Sequence, residues 1–135
     1  MALQYSTTHR TNVMTDIVTQ ASTTGYVLIY SGTEPVSCAT ATTTGNTLLA
    51  SLPCSNPVGT VTNGVLTFSA ITQENAAATG TATFWRLCTT SAGTTVVAQG
   101  TCGVSGADMN FTGSASITAG QPVSISSWTI TAYGA

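Results

Sequence analysis

The chain has 135 residues, no lysine, and only six side chains of the common acidic and basic types: Arg10, Arg86, Asp16, Glu34, Glu74 and Asp108. Charged residues make up 4% of it, where an ordinary soluble domain carries about 25%. Two arginines cannot neutralise a phosphate track or hold an anionic bilayer, so the composition argues against nucleic acid and membrane as partners.

A soluble monomer normally keeps itself apart from its neighbours by surface charge. A chain this neutral reads as one whose surface is committed to contacts, as in a large assembly. Its apolar content of 42% and net charge of −2 fit a folded chain with one real core rather than a disordered one. No segment approaches the roughly 20 apolar residues of a membrane span. The opening Met1-Ala2-Leu3-Gln4-Tyr5-Ser6 lacks the basic start and apolar run of a secretory signal, so synthesis in a cytoplasm is expected.

Residues 1–24 read as an N-terminal arm ahead of a β domain spanning 25–135. Within the arm, Val13, Met14, Ile17 and Val18 recur at helical spacing. That predicts a short amphipathic helix over Thr11 to Gln20; the competing reading is an extended arm that docks on a neighbour.

From Gly25 the pattern becomes that of strands. Tyr26 to Tyr30 is an unbroken aromatic and aliphatic run ended by Ser31-Gly32, suited to a central strand buried on both sides. Thr33 to Asn46 is a loop, and Thr47 to Leu52 a short strand stopped by Pro53. Ser55 to Gly59 is a turn cluster. Asn63-Gly64 tolerates the positive φ angles of a type I′ hairpin. Val65 to Ile71 alternates, placing Leu66, Phe68 and Ala70 on one face.

Thr81 to Thr89 is the strongest strand pattern, with Thr83, Trp85 and Leu87 on one face and Ala82, Phe84, Arg86 and Cys88 on the other. Ser91-Ala92-Gly93 turns it and Thr94 to Gln99 returns. Ala107 to Phe111 and Ala115 to Thr118 are shorter candidates. The last segment, Val123 to Tyr133, changes phase: Val123 and Ile125 share one parity, Trp128, Ile130 and Ala132 the other. One strand cannot bury both sets, because its side-chain period is two, so a bulge at Ser126-Ser127 is predicted.

Together these give an all-β chain, an antiparallel β-sandwich or jelly-roll-like fold of about eight strands with a short N-terminal helix or arm. Edge strands are usually protected by lysine or inward charge. With almost none to use, the edges are expected to be covered by a neighbouring subunit rather than by loops.

Little in the chain suits catalysis. His9, the one histidine, lies in the arm and not on a rigid scaffold for a Ser-His-acid triad. Gly103-Val104-Ser105-Gly106 places its second glycine one residue early for a nucleophile elbow and reads as a turn. Asp108 and Glu74 are the pair available for glycoside cleavage, and read more simply as surface or turn acids. No catalytic, cofactor-binding or metal-binding residues are assigned. No two cysteines stand two to four apart, which argues against zinc. Cys38, Cys54, Cys88 and Cys102 read as buried reduced thiols; if a disulfide forms, Cys38 and Cys54, both beside turn residues, are the expected pair.

Asn110-Phe111-Thr112 matches the glycosylation sequon, which without a secretory signal reads as chance. Arg86 has three readings: stacked on an aromatic face in a buried or interfacial position, paired with a carboxylate such as Asp108, or reaching solvent along its stem. Tyr26, Tyr30, Trp85, Trp128 and Tyr133 could line a sugar-binding surface, although core packing suits most of them.

Several short motifs carry a resemblance. They are Met1 to Thr8 with Arg10-Thr11-Asn12 and Asp16-Ile17, Ile29-Tyr30-Ser31-Gly32 followed by Pro35 and Cys38-Ala39, and Thr47-Leu48-Leu49-Ala50. Further on, Gly80-Thr81-Ala82 leads into an aromatic-Arg strand, followed by Gly106-Ala107-Asp108-Met109, Ala119 to Val123, and Thr129-Ile130-Thr131. Across nearly its whole length the chain resembles small virion-associated structural proteins of tailed bacteriophages, the head decoration or cement-like proteins among them.

The resemblance implies a non-enzymatic structural protein of the virion, assembled in the host cytoplasm. It would clamp neighbouring subunits of the major capsid protein from outside the head, as a homo-oligomer with a trimer favoured. On this reading the interface residues are Val13, Met14, Ile17 and Val18 of the arm, with Trp85 and Arg86. The alternative is a tail, neck or fibre component that binds a host-surface glycan.

Overall fold

The structure is a computed structural model and describes residues 2–135. It is an all-β chain with one short α-helix. Helix α1 (Thr7–Ala21) is followed by a 3-10 turn over Ser22–Thr24. The strands are β1 (Tyr26–Ser31), β2 (Thr47–Pro53), β3 (Gly59–Thr62), β4 (Val65–Phe68), β5 (Glu74–Asn75), β6 (Gly80–Thr81), β7 (Phe84–Cys88), β8 (Val96–Gly103), β9 (Met109–Asn110), β10 (Ser116–Ile117), β11 (Pro122–Val123) and β12 (Thr129–Thr131). Twelve segments rather than about eight arise because five of them are two-residue ladders, too short to show alternation in a sequence.

A five-stranded sheet, ordered β2-β1-β7-β8-β9, is the backbone of the fold. Its pairs are antiparallel except β8 with β9. β1 lies inside the sheet between β2 and β7 and is buried through Val27, Leu28, Ile29 and Tyr30. Registers Ile29 opposite Trp85 and Val27 opposite Leu87 set one face; Leu28 opposite Arg86 and Tyr30 opposite Phe84 set the other. The first face packs with Leu66 and Phe68 of a three-stranded sheet ordered β12-β4-β3. Trp128 joins the layers, stacked on Phe68 with ring centres 4.3 Å apart and set edge-on to Trp85.

The second face holds Leu28, Tyr30, Phe84 and Cys88, with the Tyr30 and Phe84 rings stacked at 5.0 Å. Residues 33–46, which form no strand, strap this face, as described below. The hairpin expected at Asn63-Gly64 is present: Thr62 pairs with Val65 across the two residues, whose φ angles are 52° and 79°.

Four features depart from the sequence reading. Helix α1 begins four residues early because Ser6 caps it, its Oγ accepting the His9 N–H at 3.1 Å. β4 ends at Phe68, so Ala70 is exposed and Ile71 takes its place in the core. In the last segment the chain does not bulge at Ser126-Ser127; it leaves one sheet for another. β11 pairs with β5 and β12 with β4, and the irregular residues between them reset the parity, so that Val123, Trp128 and Ala132 are all buried. Finally, the open edge of β2 is covered in part by its own chain: Ala77 N–H donates to the Leu49 carbonyl at 2.8 Å and Thr72 N–H to the Pro53 carbonyl at 2.9 Å.

Candidate functional site

The interface residues expected from the sequence do not form one surface. Helix α1 turns its apolar stripe inward, against its own β domain: Met14 is 5% exposed, and Ile17 and Val18 pack partly buried on the main core. Val13, 44% exposed, is the arm residue left facing outward. Trp85 is buried between the sheets and Arg86 is 2% exposed on the opposite face, so both belong to the interior of this chain rather than to an outer contact. The arm and the β domain accordingly pack as one unit.

Arg86 answers its three readings with a fourth. Its Nη2 donates to the main-chain carbonyls of Thr40 at 2.6 Å and Ser37 at 3.3 Å, not to Asp108. A buried cation needs compensation; two strap carbonyls meet Nη2, while the buried Nε has no partner among the described residues. Its cross-strand neighbour Gln99 does the same work nearby, donating from Nε2 to the Pro35 carbonyl at 2.7 Å. The neck of the strap is closed by Asn46, whose Nδ2 donates to the carbonyls of Thr33 and Ser31 at 2.8 and 3.3 Å. Sequence reasoning missed this arrangement because its acceptors are backbone atoms, which every residue carries.

The four cysteines are free. Burial pushes the thiols of Cys54 and Cys88 up to about 11 and that of Cys102 up to about 12, the reverse of what a nucleophile needs. Among the described residues no group of His, Cys, Asp and Glu is placed to hold a metal ion. No helix is long and apolar enough to cross a membrane.

Most of the aromatic residues proposed for sugar stacking are interior. Trp85, Trp128 and Tyr30 are buried, Tyr26 is half-buried, and Tyr133 stands alone in being 79% exposed.

The concave surface lies elsewhere. A cleft of about 640 Å³ runs between β9, β10 and the segment that leads from β11 into β12. A smaller one of about 350 Å³ lies between β8 and β12, and the two share Asp108 and Thr129. Asp108 is held in place by its own backbone and side chain. Oδ2 accepts the Thr101 N–H at 2.9 Å and the Thr101 hydroxyl at 3.2 Å, and the Asp108 N–H donates to that hydroxyl oxygen at 3.2 Å. The Asp108 carbonyl accepts the indole N–H of Trp128 at 3.4 Å. One sign of this place is visible in the sequence, an acid in a chain with four of them.

Comparison with known proteins finds no match: no protein-family model, no curated protein and no solved structure matches this chain.

Proposed function

We propose that this chain is a structural protein of a bacteriophage particle: a decoration protein that binds the outside of the head, stabilises contacts between capsid subunits and has no catalytic activity. The near-neutral exterior carries this reading. With Arg86 buried, an accessible surface of 7133 Å² has Arg10 as its sole arginine. Arg10 is itself half-buried and donates to the Tyr5 carbonyl and the Thr7 hydroxyl of its own arm.

A surface of this kind is poorly suited to keeping copies apart and well suited to close contact with neighbours. Apolar groups near the two chain ends give such contacts a place to form. Leu3, Tyr5, Val13 and Tyr133 are exposed, and the Tyr5 N–H donates to the Gly134 carbonyl at 2.7 Å. On this reading the partners are the major capsid protein and further copies of the chain, with a trimer favoured. Gold-labelled antibody on intact virions, viewed by electron microscopy, is the test. Label over the heads supports the reading; label confined to tail or neck overturns it in favour of a tail, neck or fibre component that binds a host-surface glycan.

A further inference from the structure

We infer that the paired clefts around Asp108 form a binding site for an uncharged, polyhydroxylated ligand, a neutral glycan chain. This goes beyond the proposed function and does not depend on where in the particle the chain sits.

The size is right for such a ligand: a ligand pocket commonly encloses about 300–1,000 Å³, and the larger cleft is about 640 Å³ with a further 350 Å³ adjoining it. The charge is right as well. Asp108 is the one ionisable side chain in the lining of either cleft. With a carboxylate and no cation, the site repels phosphate, sulfate and sialic acid and accepts hydrogen bonds from neutral donors. Oδ2 of Asp108 is occupied by Thr101, while Oδ1 has no partner among the described residues and is free to accept a sugar hydroxyl.

Around it the walls are hydroxyls and amides. Ser116, Ser124 and Thr129 are exposed in the lining. Each hydroxyl both donates and accepts, as a sugar hydroxyl does. Gln121 uses Oε1 to accept the Thr118 N–H at 2.7 Å, which holds its side chain in place. Phe111, half-buried in the same wall, offers a ring to the apolar face of a pyranose.

Trp85, packed edge-on against Trp128, lines the smaller cleft and adds apolar ring surface to its wall.

The test uses the full chain on a printed array of neutral and anionic glycans, followed by calorimetric titration of the best binder. Three proteins are compared: the wild type, Ser124→Trp, and Asp108→Asn. Ser124 is exposed, so the tryptophan fills the larger cleft without disturbing the fold, and an unchanged unfolding midpoint verifies that. The wild type is expected to bind neutral glycans and not sialylated or sulfated ones. Ser124→Trp abolishes binding. Asp108→Asn keeps an acceptor for Thr101 and weakens binding about tenfold, the loss of one charge-assisted hydrogen bond. Absence of binding across the neutral panel, a preference for anionic glycans, or binding that survives Ser124→Trp each overturns the inference.

Discussion

The indole of Trp128 meets that of Trp85 edge-on, with ring centres 4.6 Å apart and planes at 83°. Trp128 also stacks on Phe68, so a residue from an irregular segment joins one sheet to the other. Trp128→Ala removes both contacts and leaves a large cavity, and is expected to cost about 3–5 kcal/mol. Urea unfolding measures it. A loss below about 1 kcal/mol would show that the layers hold together without this ring.

Helix α1 is attached to its own domain through one face. Met14→Ala is expected to lower stability by about 2–4 kcal/mol, as for other buried methionines, because Met14 is nearly inaccessible. Val13→Asp, one residue away on the outer side, is expected to change stability by no more than about 0.5 kcal/mol while lowering occupancy on purified heads. Full head occupancy by stable Val13→Asp protein would remove this residue from the contact.

The strap is fastened by Arg86. Arg86→Met keeps most of the apolar stem and loses the bonds to Ser37 and Thr40. Global stability should fall by only about 1–2 kcal/mol, since the variant also removes a buried charge. Amide hydrogen exchange in residues 36–41 should accelerate well beyond that global change. Exchange in the strap that tracks global unfolding in both proteins would mean that the strap is held by something else.

The thiols fix a pH dependence. Their ordinary value is 9.0, and burial raises Cys54 and Cys88 to about 11 and Cys102 to about 12. Burial likewise raises Tyr30, with the Cys88 charge adding to it. The unfolded chain therefore releases these protons first as pH rises, and stability falls. The decline should begin near pH 9, where unfolded thiols ionise, and continue to about pH 12, where Cys102 ionises in the folded chain. Urea midpoints measured across that range check the sign. Below it, iodoacetamide should leave Cys54, Cys88 and Cys102 unmodified in the folded protein and label them in urea.

Local features were legible in the sequence where they depend on neighbours in the chain. The Asn63-Gly64 turn, the doubly buried run of β1 and the two faces of β7 are of this kind. The parity change before Trp128 was legible too, but not its resolution. Whether a strand bulges or changes sheets depends on β5 and β4, which lie far back in the chain. The apolar stripe of α1 posed a similar ambiguity: Met14, Ile17 and Val18 fit a neighbour's surface or their own core equally well, and only the tertiary packing decides. The cleft around Asp108 was hidden because its walls are two-residue strands and turns in a chain where serine and threonine are everywhere.

The closed neck of the strap has a practical consequence. Asn46 ties residues 31 and 33 together with the returning chain, and Thr83 adds a bond from its hydroxyl to the Gly32 carbonyl. The excursion is anchored at its base, like an Ω-loop. Between Ala41 and Thr42, both exposed, a foreign peptide could be spliced in at small entropic cost, since doubling a loop's length adds only about 0.6 kcal/mol. The base would hold its shape while the insert moved freely, which makes this position a natural carrier for a displayed epitope or affinity tag.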